Sequence, residues 1–411
     1  MTLSELARAD ATDVPPHVPA ERIAPYDLLR ISEPGDDPFE VMDSLRAKGP
    51  IFYTPVHFTG NAGAWVITRS EDIRYVLGNP GLFSSKGASG FPTMLGDSWQ
   101  MTPLEIDPPR HGIYRRILNP MFSPSRMMAM REAMRASCRE LLDAVVSDGK
   151  CEFMASFARP FPIRIFLQLF GLPLDLYAQF MEWNNRLLFS PDPDDRIDAA
   201  RNIRDYLREL IADRKRSSSG QDLMSMIVRA DADGVPLTDD EMLGICYLLF
   251  VGGLDTVAAS LGFFYKHLAD NPGQQRFLRD NPKLIPEAIE ELLRAHSVVM
   301  MSRVATRDTH IAGQPIKAGE WVSIYSSFAS LDPESVDRPQ DVDFGRETKR
   351  HIAFSSGPHR CLGAHLARIE LTVALEEWLK RVPPWRIKDG HPPRMHGGVV
   401  FGLDELTLSW A

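Results

Sequence analysis

One stretch limits what this chain can fold into. Thr238 and Glu241 form a T-x-x-E capping box, and the residues after them stay largely apolar, without a breaker, until Asn271-Pro272. About thirty residues at ~1.5 Å each predict a helix ~45 Å long, the width of a whole protein of this size. It has to pass through the core, so the rest of the chain must wrap around it.

Further amphipathic patterns predict helices over Met127 to Val146, Arg201 to Arg216, Pro286 to His296 and Leu362 to Arg381. Strand-like runs are few: Ile51 to Val56, Ala64 to Thr68, Trp321 to Tyr325 and the alternating tail Val399 to Trp410. The expected fold is mainly α with a minor β part, a single domain over residues 1–411 in which residues 1–25 form a loosely ordered N-terminal arm. No internal repeat is present, and Arg216 to Gly220 reads as a surface loop.

Inside the long helix, Gly252 and Gly253 each cost about 1 kcal/mol relative to alanine, and the polar pair Asp255 and Thr256 follows in apolar surroundings. Two readings stand side by side. The helix is kinked and Thr256 bonds back to a carbonyl one turn earlier. Or it opens so that something flat can lie against its backbone, with a hydroxyl and a carboxylate aimed at it.

Composition removes some functions. Acidic residues outnumber basic ones, 55 to 46, for a net charge of -9, and no lysine-rich stripe is present to neutralise a phosphate backbone, which argues against nucleic acid. The first thirty residues lack the apolar run of a secretory signal, and no segment is expected to span a membrane, so a cytoplasmic protein is predicted. Cys138, Cys151, Cys246 and Cys361 form no C-x-x-C pair, which suggests neither zinc site nor disulfide framework. Three of them read as buried apolar side chains. Cys361 differs, because Phe354-Ser-Ser-Gly357-Pro-His359-Arg360-Cys361-Leu-Gly363 places it where a loop turns into a helix. There the free N–H groups and helix dipole are expected to lower the thiol pKa and favour a thiolate, a good iron ligand.

The pattern Phe354-x-x-Gly357-x-x-x-Cys361-x-Gly363 resembles the haem-ligand loop of the cytochrome P-450 superfamily. Glu291-Leu-Leu-Arg294 resembles that family's E-x-x-R helix, and Gly252-Gly253-Leu254-Asp255-Thr256 its oxygen-binding helix. The runs Pro160-Phe-Pro-Ile-Arg-Ile-Phe, Val251-Gly-Gly-Leu-Asp-Thr and Glu290-Glu-Leu-Leu-Arg are similar to the bacterial camphor hydroxylase branch.

The resemblance implies a P-450 fold with haem b, Cys361 as the axial thiolate to iron, and O2 as co-substrate. Electrons would come from NADH through a flavin reductase and a [2Fe–2S] ferredoxin. Gly357 and Gly363 would let the loop approach the sulfur and porphyrin, Phe354 would shield the thiolate, and Gly252 would face the haem from the other side. Arg303, His359, His111 and Arg115 would hold the propionates. Thr256 would supply the hydroxyl, and Asp255 the gate, of a guarded proton relay. Glu291 and Arg294 would form a structural ion pair. The family's third member falls here at an acid, Asp341, with nearby Arg338 as the expected substitute.

For the substrate, the resemblance places Trp99 where the camphor enzyme has a tyrosine that donates to the ketone, and an indole N–H is also a donor. Phe91, Leu104, Leu248, Val251, Val299, Val399 and Phe401 complete an apolar lining that selects by shape. It suggests a compact terpenoid or norisoprenoid of roughly ten to fifteen carbons, an ionone-like ketone before camphor. Arg115, Arg116, Lys349, Arg350 and Arg360 would present a basic face to an acidic ferredoxin. A camphor-type monoterpene hydroxylase, a peroxide-driven haem enzyme and a haem sensor without turnover are the competing readings. The adjacent Asp255 and Thr256 favour oxygen activation.

Overall fold

The capping box closes as the sequence predicts. In the computed structural model, which describes residues 14–24, 37–57, 63–190, 192–217 and 220–410, the Glu241 N–H donates to the Thr238 hydroxyl at 3.2 Å. The Thr238 N–H donates in return to the Glu241 carboxylate at 2.8 Å. The central helix runs unbroken over Asp239–Asp270, 32 residues. At its end the Asn271 side chain donates to the His267 carbonyl at 2.8 Å, satisfying one of the last carbonyls. This helix is long and apolar enough to cross a membrane, which the sequence reading denied to every segment. But 61% of its most apolar window is buried inside the fold, where a core helix must be apolar all round.

Helices Pro160–Phe170 and Pro193–Arg216 and the strand Gly402–Glu405 pack against it. Pro193–Arg216 starts earlier than expected, since the Asp192 side chain accepts from the Asp194 N–H and Pro193 takes the first helical position. Ser218 and Ser219 of the expected loop after it lie outside the described residues. The helices expected at Pro286 and Leu362 run over Ile285–Ala295 and Ala364–Arg381. Met127 to Val146 is not one helix. Pro124 starts a short one, Pro124–Ala129, and at Met130 ψ flattens to -8° before Arg131–Asp143 begins.

Five strands form the main sheet in the order Ile51–Thr54, Ala64–Ile67, Trp321–Tyr325, Met300–Ala305, Phe83–Ser84. The alternating tail divides between two sheets: Gly402–Glu405 pairs with Arg394–His396, and Thr407–Trp410 lies between Trp385–Ile387 and Lys150–Glu152. The architecture is mainly α with a smaller β part. Of the expected N-terminal arm, residues 1–13 and 25 lie outside the described residues. Within 14–24 the chain is tied down: the Ala24 N–H donates to the Tyr53 carbonyl at 2.8 Å, and Arg22 reaches the Ile51 carbonyl at 3.3 Å.

The E-x-x-R pair is wholly buried. Arg294 donates twice to Glu291, at 2.9 and 2.8 Å, and its remaining donors reach the carbonyls of Ser330, Pro339 and Asp341. The third member is Arg346, whose Nε donates to Glu291 at 3.0 Å. Arg338 instead pairs with the Asp341 side chain at the surface, and Asp341 meets Arg294 only through its carbonyl, so no acid crowds Glu291.

His296, at the end of the Ile285–Ala295 helix, stacks on Phe263 and packs edge-on against Phe39. Both its ring nitrogens are buried without a partner, and burial holds its pKa well below 6.5. Burial also lowers His57, to about 4, and His267. Each of these imidazoles is neutral when folded and takes up a proton on unfolding below pH ~6.5. Stability is therefore full above that pH and is lost as pH falls toward the depressed folded values, by up to about 1.4 kcal/mol per pH unit per histidine. His296→Leu should stabilise the protein by ~1 kcal/mol at pH 7.5 and flatten the acid limb, as denaturant midpoints at pH 7.5 and 5.5 would show.

Candidate functional site

The Cys361 loop is held by its own backbone: the Cys361 N–H donates to the Phe354 carbonyl at 2.9 Å and the Arg360 N–H to the Gly357 carbonyl at 3.2 Å. Gly357 sits at φ +68°, and a Cβ there would lie 2.3 Å from the Leu77 carbonyl oxygen. Its requirement thus comes from the end of helix Ser70–Gly78 packing under the loop, not from closeness to the sulfur as expected. Gly363 is the glycine beside the sulfur, a Cβ on it lying 4.0 Å from Cys361 Sγ.

Cys138, Cys151 and Cys246 are buried, as predicted, while Cys361 is exposed. Even so, burial is the largest influence on the Cys361 thiol and pushes its pKa up, against the lowering expected from a helix start. The Gly363 N–H and Arg115, Arg368 and Arg360 act in the expected direction but are outweighed by lost hydration. A thiol that is deep in the protein and still accessible lines an internal space. Among the influences named, no nearby full charge makes up the deficit; a bound metal cation would, by deprotonating the thiol outright.

The central helix has the same character. A Cβ on Gly252 or Gly253 would meet nothing within 4 Å, and Gly252 is exposed on a helix that is elsewhere mostly buried. The Thr256 hydroxyl donates to the Gly252 carbonyl at 3.0 Å. The back-bond of the first reading is therefore present, in a helix that stays unbroken, and the bare backbone leaves room for the second. Asp255 lies next to it, its carboxyl pushed up by burial, with His396 and Arg159 pulling it down and Asp404 opposing them. His396 and Asp404 are themselves 3.0 Å apart.

Bases gather in a third group. His111 and His359 have ring centroids 4.3 Å apart, and the His359 Nε2 is 3.2 Å from the Ser85 hydroxyl. Burial first, then Arg115, holds His111 at about 4; burial, then Arg303 and His111, holds His359 at about 3. Arg303 is 3% exposed, and burial lowers it to about 10. Arg115 donates to the Arg360 carbonyl at 2.9 Å. The His111 Nε2 is buried with no partner. Two guanidiniums beside two neutral imidazoles, one with an orphaned nitrogen, ask for an anionic acceptor, and the two carboxylates of a haem would supply it. A flat dianionic group carrying a thiophilic metal fits these side chains.

Phe354 has a partner the sequence did not disclose. The Arg368 guanidinium lies 4.4 Å from its ring centroid and is itself held by Glu290 at 2.6 and 2.9 Å. Burial would raise the Glu290 carboxyl, but His351 and Arg368 together bring it down to about 2.

The expected pocket residues divide. Phe91, Leu104, Leu248, Val251 and Val299 are half-buried and Val399 is exposed. Phe401 is 1% exposed and packs on Phe39 and Tyr325, so it belongs to the core. The Trp99 N–H, expected to serve a substrate, donates to Asp97 at 2.8 Å. Of the basic face, Arg350 and Arg360 are exposed, but Arg116 is paired with Asp233 at 2.8 Å and the Lys349 ammonium donates to the Arg346 carbonyl at 2.7 Å.

A profile described as Cytochrome P450 matches residues 164–405. Over 410 residues the chain is 40% identical to probable cytochrome P450 127A1 of Sinorhizobium fredii, with 98% of each chain covered. It is 31% identical to pentalenic acid synthase of Streptomyces avermitilis, covering 97% of this chain and 98% of that one. Among solved structures, CYP101J2 and CYP101C1 each superpose with a TM-score of 0.87 at 32% identity, covering 97% of this chain and all of theirs.

Gly357→Ala should disrupt the loop, since the left-handed φ alone costs about 1–2 kcal/mol and the Leu77 carbonyl blocks the methyl. Purified G357A is expected to hold far less haem and melt lower, whereas Gly252→Ala, whose methyl meets no protein atom, should fold normally and alter only the bound haem spectrum. Haem content, melting and absorption spectra of the two variants check this.

Proposed function

The chain belongs to the cytochrome P450 family, and on that premise we propose that Cys361 is its axial thiolate and that it hydroxylates a compact terpenoid or norisoprenoid, fed by a [2Fe–2S] ferredoxin. It is a bacterial-type P450 monooxygenase that uses haem b. The haem, when bound, would supply O2 activation, in which two electrons and two protons let one oxygen atom enter a substrate C–H bond and the other leave as water.

The observation that carries the residue assignment is a conjunction. An accessible thiol at Cys361 and a cluster of bases with an orphaned His111 nitrogen, joined through Arg115, support that assignment, and the bare backbone at Gly252 supports the opposite wall. Each residue then has work to do. Arg303, Arg115, His111 and His359 orient the cofactor through its propionates. Gly363 donates to the sulfur, and Phe354, under Arg368, keeps water from it. Thr256 offers a hydroxyl beside the bare Gly252 backbone, and the adjacent Asp255, its carboxyl raised by burial, serves as the proton gate under the charges of His396, Arg159 and Asp404.

Leu248, Val251, Val299, Val399 and Phe91 support an apolar substrate selected by shape. The exposed Arg350 and Arg360 support docking of an acidic ferredoxin that is reduced by NADH through a flavin reductase, with Arg115 behind them.

The reduced carbon monoxide complex tests the ligand: Cys361 should give the strongly red-shifted band of a thiolate, and Cys361→His should lose it while retaining haem. Thr256→Ala is expected to keep most NADH consumption and divert it to peroxide; tight coupling in that variant would refute its role. Rising salt should slow electron transfer steeply and leave substrate affinity unchanged, as stopped-flow reduction and spectral titration would show.

A further inference from the structure

Trp99 lies on the segment between Gly90 and Glu105 that brings Phe91 and Leu104 to the pocket. Its indole is 4% exposed and packs on Tyr247, one turn before Val251 on the central helix, with ring centroids 5.1 Å apart. Its only donor goes to Asp97 Oδ2 at 2.8 Å. That same oxygen accepts from Arg204 Nη1 at 3.1 Å, and Arg204, on helix Pro193–Arg216, is fixed further by Asp205 at 2.8 and 3.2 Å. The segment has little freedom to swing. A Cβ on Gly244 of the central helix would lie 2.0 Å from the Gln100 carbonyl, so the segment presses on bare helix backbone there. The buried Glu105 carboxylate also ties its two ends, accepting from Met101 N–H at 2.9 Å and from the Ser89 N–H and hydroxyl at 3.0 and 2.7 Å.

We propose that Asp97, held by Arg204, is a specificity-determining positioning residue. It keeps the Trp99 indole N–H inside the protein, so this wall offers a substrate carbonyl no donor and recognises a hydrocarbon skeleton by shape. The inference rests on the reading of this region as the substrate pocket. It changes the expected substrate, since a ketone oxygen gains nothing here over the bare cyclic skeleton.

The test uses holoenzyme and a matched pair, camphor and camphane, which share a skeleton and differ by the carbonyl. In spectral titrations, Trp99→Phe should leave the ratio of the two dissociation constants within ~2-fold of the unsubstituted enzyme. Asp97→Leu, and independently Arg204→Gln, should release the indole and shift the ratio toward camphor by up to ~10-fold, while Asp97→Asn, which keeps an acceptor for the indole, should not. A loss of camphor preference of about tenfold in W99F would overturn the proposal, because the N–H would then serve the ligand.

Should neither ligand perturb the haem band, the Trp99 indole proton itself decides. Its 15N–1H signal, assigned by its absence in W99F, should exchange slowly with solvent in the unsubstituted protein and quickly in D97L. Fast exchange in both overturns the proposal. The reduced carbon monoxide spectrum of the same samples is independent of Asp97, so loss of the thiolate band condemns the Cys361 assignment and leaves the indole measurement standing.

Discussion

Two adjacent carboxylates on the Ile285–Ala295 helix hold the segment that carries Cys361, and the rest of the site depends on them. Glu291, with no exposed surface, accepts from Arg294, Arg346 and the Asp343 N–H, and so fixes the stretch ahead of the cysteine loop. Glu290 accepts from His351 and Arg368, which reach the loop from either side. Taking such charges out of water costs several kcal/mol per ion, and their mutual attraction repays this only when every polar atom finds a partner. Here the Arg294 donors go to Glu291 and three carbonyls. The pair therefore favours one loop arrangement over others more than it adds stability, and that is what a ligand sulfur needs, since small displacements of it would be felt at the metal.

The two faces of the site are built by opposite means. On the cysteine side, charge and hydrogen bonds over-determine a loop with no regular structure of its own. On the opposite side, the long helix withholds side chains at Gly252 and Gly253, accepting a loss of about 2 kcal/mol of helix propensity that its packed flanks offset. Bases stand beside the cysteine loop, where Arg115 donates to the Arg360 carbonyl. Each feature is unfavourable alone: a buried thiol, bare backbone, unpartnered imidazole nitrogen. One flat anionic ligand answers all three.

Much of this was legible in the sequence, for physical reasons that differ by residue. The central helix could be read because a capping box and a proline are local signals and its apolar run is long. Cys361, Thr256 and Asp255 stand out because their chemistry is rare in such surroundings. Arg346 could not, because it reaches Glu291 across 55 residues from the side of Asp343 opposite to that expected, and an arginine's reach leaves no periodic trace. The direction of the Cys361 pKa was misjudged because a helix start is visible in sequence and the depth of burial is not. Met130 was missed because a break of one residue preserves the apolar pattern on both sides.

Trp99 is the most instructive case. Residue type says that an indole carries a donor, and position says that it stands near the substrate, yet neither says which way the donor points. Asp97 is two residues away, close enough in sequence to have suggested the bond, but the clamp needs Arg204 from another helix to hold Asp97 in place. A donor that is satisfied within the protein is no longer a recognition element, because a ligand taking it over would break its bond to the Asp97 carboxylate, at a cost of the same order as the bond gained. Chemical specificity in this pocket is thus set as much by which polar groups are withdrawn from it as by which apolar ones line it.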